Sequence, residues 1–314
     1  MINLSEQIAN LSEYFGVRST HYYHASTPST YDPADPLVYY VDESARAAYT
    51  RRFDAQGIPL YVEGRSAVHL PVFLCFYALG HLEIYRKQKN DESLARFLKI
   101  ADWLAANQNG DGVWLNPLPN RKFGLHQPSP SAMIQGLAIS CLHRAAMVAD
   151  NRRFHEAAAA ALMAYGKDVR HGGVATVTDG HVFYEEYPSN ACPHVLNGFL
   201  YAMWGLWDLA RTGNGMAADL YNQGFRTFIE WLPRYDMGFW SRYNLSNGPD
   251  NPATLHYHRL HIDQLTVMHQ ISAHDLIREY RDKWQGYLDN RWNPLRTLPK
   301  KLRWRFFYSG SASD

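Results

Sequence analysis

The chain has 314 residues, a formal net charge of +1, 46% hydrophobic and 19% charged residues. That length allows one large domain or two modest ones with a substantial core, and the composition excludes a disordered chain. A net charge this small argues against a global electrostatic role with nucleic acid, so no nucleic-acid partner is expected.

Residues 2–14 read as a short amphipathic helix with Ile2, Leu4, Ile8, Leu11 and Phe15 on one side. An irregular stretch rich in Tyr, His and Pro follows to Tyr40. Asp42 is expected to cap a helix running to Phe53, interrupted at Gly57-Ile58-Pro59. The apolar run from Arg65 to Lys87 predicts a helix buried nearly all round. The next helix starts at Asn90 or Asp91 and ends in the turn Asn107 to Trp114. Two more run from about Ser131 to Ala149 and Arg153 to Val169. Gly172-Gly173 and Asp179-Gly180 then bracket two short extended segments.

Those segments deliver the most unusual stretch, Phe183-Tyr184-Glu185-Glu186-Tyr187-Pro188. Pro188 biases Tyr187 away from helical dihedrals, which puts two carboxylates and two phenols on extended chain at the mouth of a helix. Helices are predicted at about 194–211, 216–232, 261–272 and 275–287, with an irregular loop from Tyr235 to Tyr257. Helices in pairs with little strand predict an all-α fold, an (α/α) toroid with small hairpins near the site. Three parts are expected: an N-terminal segment 1–57, a barrel 58–290 and a basic aromatic tail 291–314. For that tail, a contact with a membrane surface or a polyanion competes with a solvated tail docked on the body.

Cys75, Cys141 and Cys192 lie far apart among apolar or small residues, so reduced thiols are expected and no disulfide framework. The N-terminus has no signal-peptide pattern, and no apolar run looks long enough to span a bilayer. A cytoplasmic protein is expected, peripheral at the inner membrane if the tail engages it.

The motif Tyr184-Glu185-Glu186-Tyr187-Pro188, with Val195-Leu196-Asn197-Gly198-Phe199 after it, resembles the C-terminal domain of D-glucuronyl C5-epimerases. The resemblance continues at Ala101-Asp102-Trp103-Leu104 with Asn107-Gln108, and at Ser131-Ala132-Met133 with Gln135-Gly136 and Ala138-Ile139-Ser140. It recurs at Tyr243-Asn244-Leu245, and at Tyr257-His258 with His261-Ile262 and Gln264-Leu265. The chain departs from animal members at Ser246 and Pro130, where they carry an arginine and a tyrosine. It looks like a bacterial-type relative without their N-terminal β-domain. The resemblance implies a helical barrel that converts glucuronate to iduronate within a polymer such as heparosan. By motif, Glu186 and Tyr187 match the family's catalytic pair, and Tyr243 and Tyr257 its two further essential tyrosines.

Epimerisation at C5 needs a base on one face, a proton donor on the other, and groups that neutralise the uronate carboxylate. Glu186 suits the base if burial raises its pKa, and Tyr257 the opposing donor, with Tyr187 and Tyr243 holding the sugar. Arg242, His258 and His261 are candidates for the carboxylate, and Asn197 and Gln135 for hydrogen bonds to the polymer or the site walls, with hydrogen bonding between helices the competing role for both. The expected partner is a uronic-acid-containing polysaccharide or oligosaccharide; no cofactor is expected, and a homodimer is left open. His256, His258, His261 and Asp263 match no standard zinc spacing, so no metal is expected. The alternatives are a lyase, a glycoside hydrolase using Glu186 and Asp111, or a non-catalytic polysaccharide-binding protein.

Overall fold

The computed structural model describes residues 27–28, 31–64 and 66–310. The expected N-terminal helix over 2–14 lies outside the described residues. The described chain is mostly helical, with strands confined to three two-stranded antiparallel ribbons: β1 (Thr27–Pro28) with β2 (Val41–Asp42), β3 (Tyr61–Glu63) with β4 (Ser66–Val68), and β5 (Ala175–Thr178) with β6 (His181–Tyr184). The helices are α1 (Pro71–Gln88), α2 (Asp91–Asn107), α3 (Ala132–Ala149), α4 (Arg152–Ala160), α5 (Leu196–Ala210), α6 (Gly215–Trp231), α7 (Leu255–Ser272), α8 (Asp275–Asp289) and α9 (Asn293–Gly310).

Helices from α1 to α8 pack on their successors as α1/α2, α3/α4, α5/α6 and α7/α8, each pair joined by a short turn. Local chemistry sets those turns. Lys89 adopts a left-handed conformation to end α1, and Asn90 Oδ1 then accepts from Ser93 N to start α2. Asn214 Oδ1 does the same for α6 through Ala217 N. Long loops link one pair to the next, and they all leave an even-numbered helix and arrive at the N-terminus of an odd one.

The core centres on α3 against α5. An added Cβ at Gly136 would lie 2.5 Å from Tyr201 O, and one at Gly205 2.4 Å from Gly136 O, so the two backbones approach as closely as glycine allows. Further along the same pair, Arg144 and Asp208 form a fully buried ion pair at 2.6 Å. Ser140 Oγ and Tyr40 OH donate to the carboxylate, while the guanidinium also donates to Val38 O. This network fastens the segment before α1 to the core.

Several sequence expectations need correction. The helix expected over 65–87 starts at Pro71, which suits a first helical position because it has no N–H to satisfy; Ser66–Val68 instead pairs with β3. The helix expected after Asp42 is only a 3₁₀ turn, Ser44–Ala48, packed on α1. Beyond Ala160 the fourth helix dissolves into 3₁₀ turns. The seventh starts at Leu255, not near His261. Among the described helices, α3 alone has the length and apolarity of a bilayer span, contrary to the expectation of no such run; that window is 83% buried inside the protein.

Candidate active site

Glu185 and Glu186 follow directly from β6, and extended chain sends adjacent side chains to opposite sides. Glu185 goes inward. Its carboxylate accepts from Thr176 Oγ1 (3.0 Å) and His194 N (3.0 Å), and lies 2.6 Å from His194 Nδ1. Its backbone is held as well, by Ala132 N on its carbonyl and by Val174 O on its N–H. With Glu185 anchored, Glu186 is aimed the other way, into a cavity of about 300 Å³.

That cavity sits at the N-terminal turns of the odd-numbered helices. Val72 and Phe76 come from α1, Met133 and Ile134 from α3, Asn197 and Tyr201 from α5, and His256, Tyr257 and Leu260 from α7. The long loops add Asn116, Asn120 and Tyr187, and the turn on α1 adds Arg46. The positive ends of four helix dipoles thus gather around one volume, which favours an anionic ligand.

Glu186 is buried, and its Oε2 has no hydrogen-bond partner within the protein. Burial pushes its pKa up to about 7; the hydrogen bond from Tyr187 opposes this, and the nearby Glu185 adds to it. The carboxylate packs so tightly on α5 that a Cβ at Gly198 would lie 2.3 Å from Oε2. Asn197 Oδ1, also buried in the cavity wall, is unpartnered too. Both residues line the same cavity, so a bound ligand could pair the two atoms. Tyr187 stacks on Phe123 with ring centroids 4.8 Å apart.

The two distant tyrosines reach the same region by different routes, but only Tyr257 lines the cavity; Tyr243, expected to hold the sugar, is not among its lining residues. The 193–196 segment bridges the loop after α6: Leu196 N donates to Tyr243 O and Leu245 N to Pro193 O. Thr254 Oγ1 caps α7 by accepting from Tyr257 N. Tyr243 and Tyr257 then meet edge to face at 4.9 Å. Tyr243 also joins Tyr187 in the cluster around Phe123, Val195 and Trp304, with Lys301 Nζ 5.9 Å from its ring. Burial, with Arg305 and Lys122 nearby, lowers the Lys301 pKa to about 7.

Four residues expected at the substrate are placed elsewhere. Gln135 exchanges hydrogen bonds with the backbone of Trp114. The Arg242 guanidinium is tied to Asp250 and to the carbonyls of Arg234 and Asp236. His258 and His261 share Ser241: with His258 Nε2 donating to Trp284 O, the relay runs from His261 Nδ1 to Ser241 Oγ to His258 Nδ1. Both rings are neutral, because burial lowers the His258 pKa to about 3 and that of His261 well below its usual value. No group of three or more His, Cys, Asp or Glu among the described residues is disposed to hold a metal. Asp111, the partner a hydrolase would need, is exposed on the turn after α2, 3.6 Å from Lys167 Nζ. Among the described residues lining the cavity, Glu186 is the only carboxylate.

Two lining residues were missed. Arg46 contacts Glu43 and lies 4.1 Å from the Phe76 ring centroid. His256 is kept neutral by burial and by Arg46 and Arg259, its pKa lowered to about 4. Nothing in the local sequence marks Arg46; His256 could have been found by starting α7 at its Thr254 cap.

Residues 118–286 match the family described as D-glucuronyl C5-epimerase C-terminus. Over 231 residues the chain is 33% identical to the D-glucuronyl C5-epimerase of Caenorhabditis elegans, a match covering 66% of this chain and 38% of that protein. It is 26% identical over 231 residues to an uncharacterized protein of Methanocaldococcus jannaschii, covering 67% of this chain and 73% of that one. The chain thus spans well under half the length of the nematode enzyme. With the family match running through both the Glu186 stretch and the Tyr243 and Tyr257 segments, the chain belongs to the D-glucuronyl C5-epimerase C-terminal family.

Proposed function

We propose that the protein is a polysaccharide uronyl C5-epimerase, its helical pairs from 58 to 290 closing as an (α/α) toroid around the site. The observation that carries this reading is Glu186, a buried carboxylate with an unpartnered Oε2 and a pKa of about 7 at the junction of the N-terminal turns of α1, α3, α5 and α7. A base of that pKa takes a proton near neutrality without being permanently protonated.

In this reading, Glu186 removes the C5 proton of a glucuronate residue. The electron pair moves into the carboxylate as an enolate. Arg46 and the helix N-termini offset the added charge, neutral His256 and Asn197 hold the sugar, and Tyr257 returns a proton to the opposite face to give iduronate. Tyr187 hydrogen-bonds the base, and Tyr243 buttresses Tyr257. The nematode relative is named for glucuronyl C5-epimerisation, which favours a glucuronate-containing polymer as substrate.

Incubation with heparosan in deuterium oxide tests the assignment. Deuterium should enter at C5, and iduronate should accumulate without chain shortening. Absence of C5 exchange with every uronate polymer tried would sink it. An unsaturated, ultraviolet-absorbing product would reassign the same proton abstraction to a lyase.

A further inference from the structure

The last helix is built inside out. Among the described residues its buried positions are Asn293, Thr297, Lys301 and Trp304, three of them polar. They are satisfied from within: Asn293 Nδ2 donates to Tyr287 O, Thr297 Oγ1 to Pro294 O, and Lys301 Nζ to Asn251 Oδ1 and Pro252 O. The opposite side carries the apolar residues. Trp292, just before the helix, is 59% exposed, Leu295 51%, Leu302 39% and Phe306 60%.

With the exposed Pro299 these residues recur at spacings of three and four, so they form one continuous stripe. The other large exposed hydrophobics among the described residues, such as Phe53, Met163 and Val177, are spread over different elements. Scattered apolar side chains need no explanation, whereas an aligned stripe marks a contact surface.

Charge identifies the partner. From Asn290 to Gly310 the chain holds Arg291, Arg296, Lys300, Lys301, Arg303 and Arg305 and no acidic residue. On a helical projection Arg296, Lys300 and Arg303 run along one flank of the stripe. A two-fold contact with a second copy would set these cations against themselves. An acidic glycan would meet the cations but leave four large apolar side chains in water.

We propose that α9 lies in the interface of a membrane bearing anionic lipids, with Trp292, Leu295, Leu302 and Phe306 entering the acyl boundary and the flanking cations meeting the headgroups. The inner face of the same helix backs Tyr243 through Lys301 and Trp304, so membrane attachment and the candidate site share one element.

Co-sedimentation of the full chain with vesicles tests this. The protein should pellet with phosphatidylcholine vesicles containing phosphatidylglycerol, not with phosphatidylcholine alone, and salt should weaken the binding. Leu295→Ser with Phe306→Ser, and separately Arg291→Glu with Arg303→Glu, should each lower the partition coefficient roughly ten-fold or more while leaving the unfolding temperature in place.

Failure to bind, or binding unchanged in both variants, overturns the proposal. Three other outcomes also overturn it by naming a different occupant. A soluble polyuronate that binds wild type and loses affinity only with the Arg pair assigns the helix to a glycan. A dimer abolished by the Leu295 and Phe306 changes assigns the stripe to a second copy. Vesicle binding that appears only after removal of residues 1–26 assigns it to that segment.

Discussion

Asp208 and Glu186 are both carboxylates removed from water, and both pack against the α3–α5 pair. Around Asp208 every oxygen is matched. Burial alone would raise its pKa, yet Arg144, with hydrogen bonds from Arg144 and Ser140, outweighs that and holds it below the usual carboxylate range. Around Glu186 nothing comparable is supplied. Its own neighbours leave Oε2 unpaired, and the pKa climbs to about 7. The same burial therefore yields a structural ion pair where a counter-charge is built in and a carboxylate that ionises near neutrality where it is withheld.

Glu186→Gln tests the contrast most strongly. Proton abstraction should fall by about 10²- to 10⁴-fold, read as C5 deuterium exchange. Wild-type exchange should rise with pH through about 7 as the carboxylate ionises. Stability should move the other way. The folded pKa lies above the ordinary carboxyl value of 4.5, so the native state binds the proton more tightly and loses stability as pH rises from 4.5 through about 7. Removing the charge should recover up to roughly 3 kcal/mol well above pH 7 and nothing below pH 4.5. A variant with the same unfolding temperature as wild type at every pH would contradict the unmatched burial.

Asp208→Asn should do the reverse. It strands the Arg144 guanidinium in the core and should cost about 3–5 kcal/mol in denaturant unfolding, lowering the amount of folded protein without altering the pH profile of C5 exchange in what remains folded. A loss under 1 kcal/mol would show that Val38 O and the Ser140 carbonyl satisfy Arg144 unaided.

The sequence distinguishes these roles only in part. The order of helices, their Asn90 and Asn214 caps and the hairpin before the Glu-Glu pair all follow from local rules. Which glutamate faces the cavity does not, because it depends on Thr176 and His194 capturing Glu185 from outside the motif. The same limit explains Gln135, Arg242, His258 and His261: their residue types suit a sugar site, but Trp114, Asp250, Ser241 and Trp284 already occupy them. Arg46 shows the converse, since only the packing of its turn on α1 brings it to the cavity. Which polar side chains are already held by their neighbours is a property of the tertiary structure, and residue type alone does not reveal it.

Gly198→Ala sharpens the comparison without touching a charge. The new methyl would overlap Glu186 Oε2, Cβ and Cδ, so the carboxylate must shift. Displacement by about 1 Å at a reacting group costs on the order of 10²-fold. The helix itself tolerates alanine, so exchange should fall far more than stability. Equal losses in both would show that Gly198 serves packing alone.

The smallest effect is expected at Thr254. Its hydroxyl accepts from Tyr257 N and fixes the first turn of α7, which carries both His256 and Tyr257 to the cavity. Thr254→Ala should cost about 1 kcal/mol of stability, while Thr254→Ser keeps the acceptor and should cost less. If the cap also holds Tyr257 against Tyr243, alanine should lower C5 exchange beyond what the unfolded fraction explains, and serine should restore it. Exchange that tracks only the folded fraction would confine the cap to helix stability and leave the Tyr243 contact as what positions Tyr257.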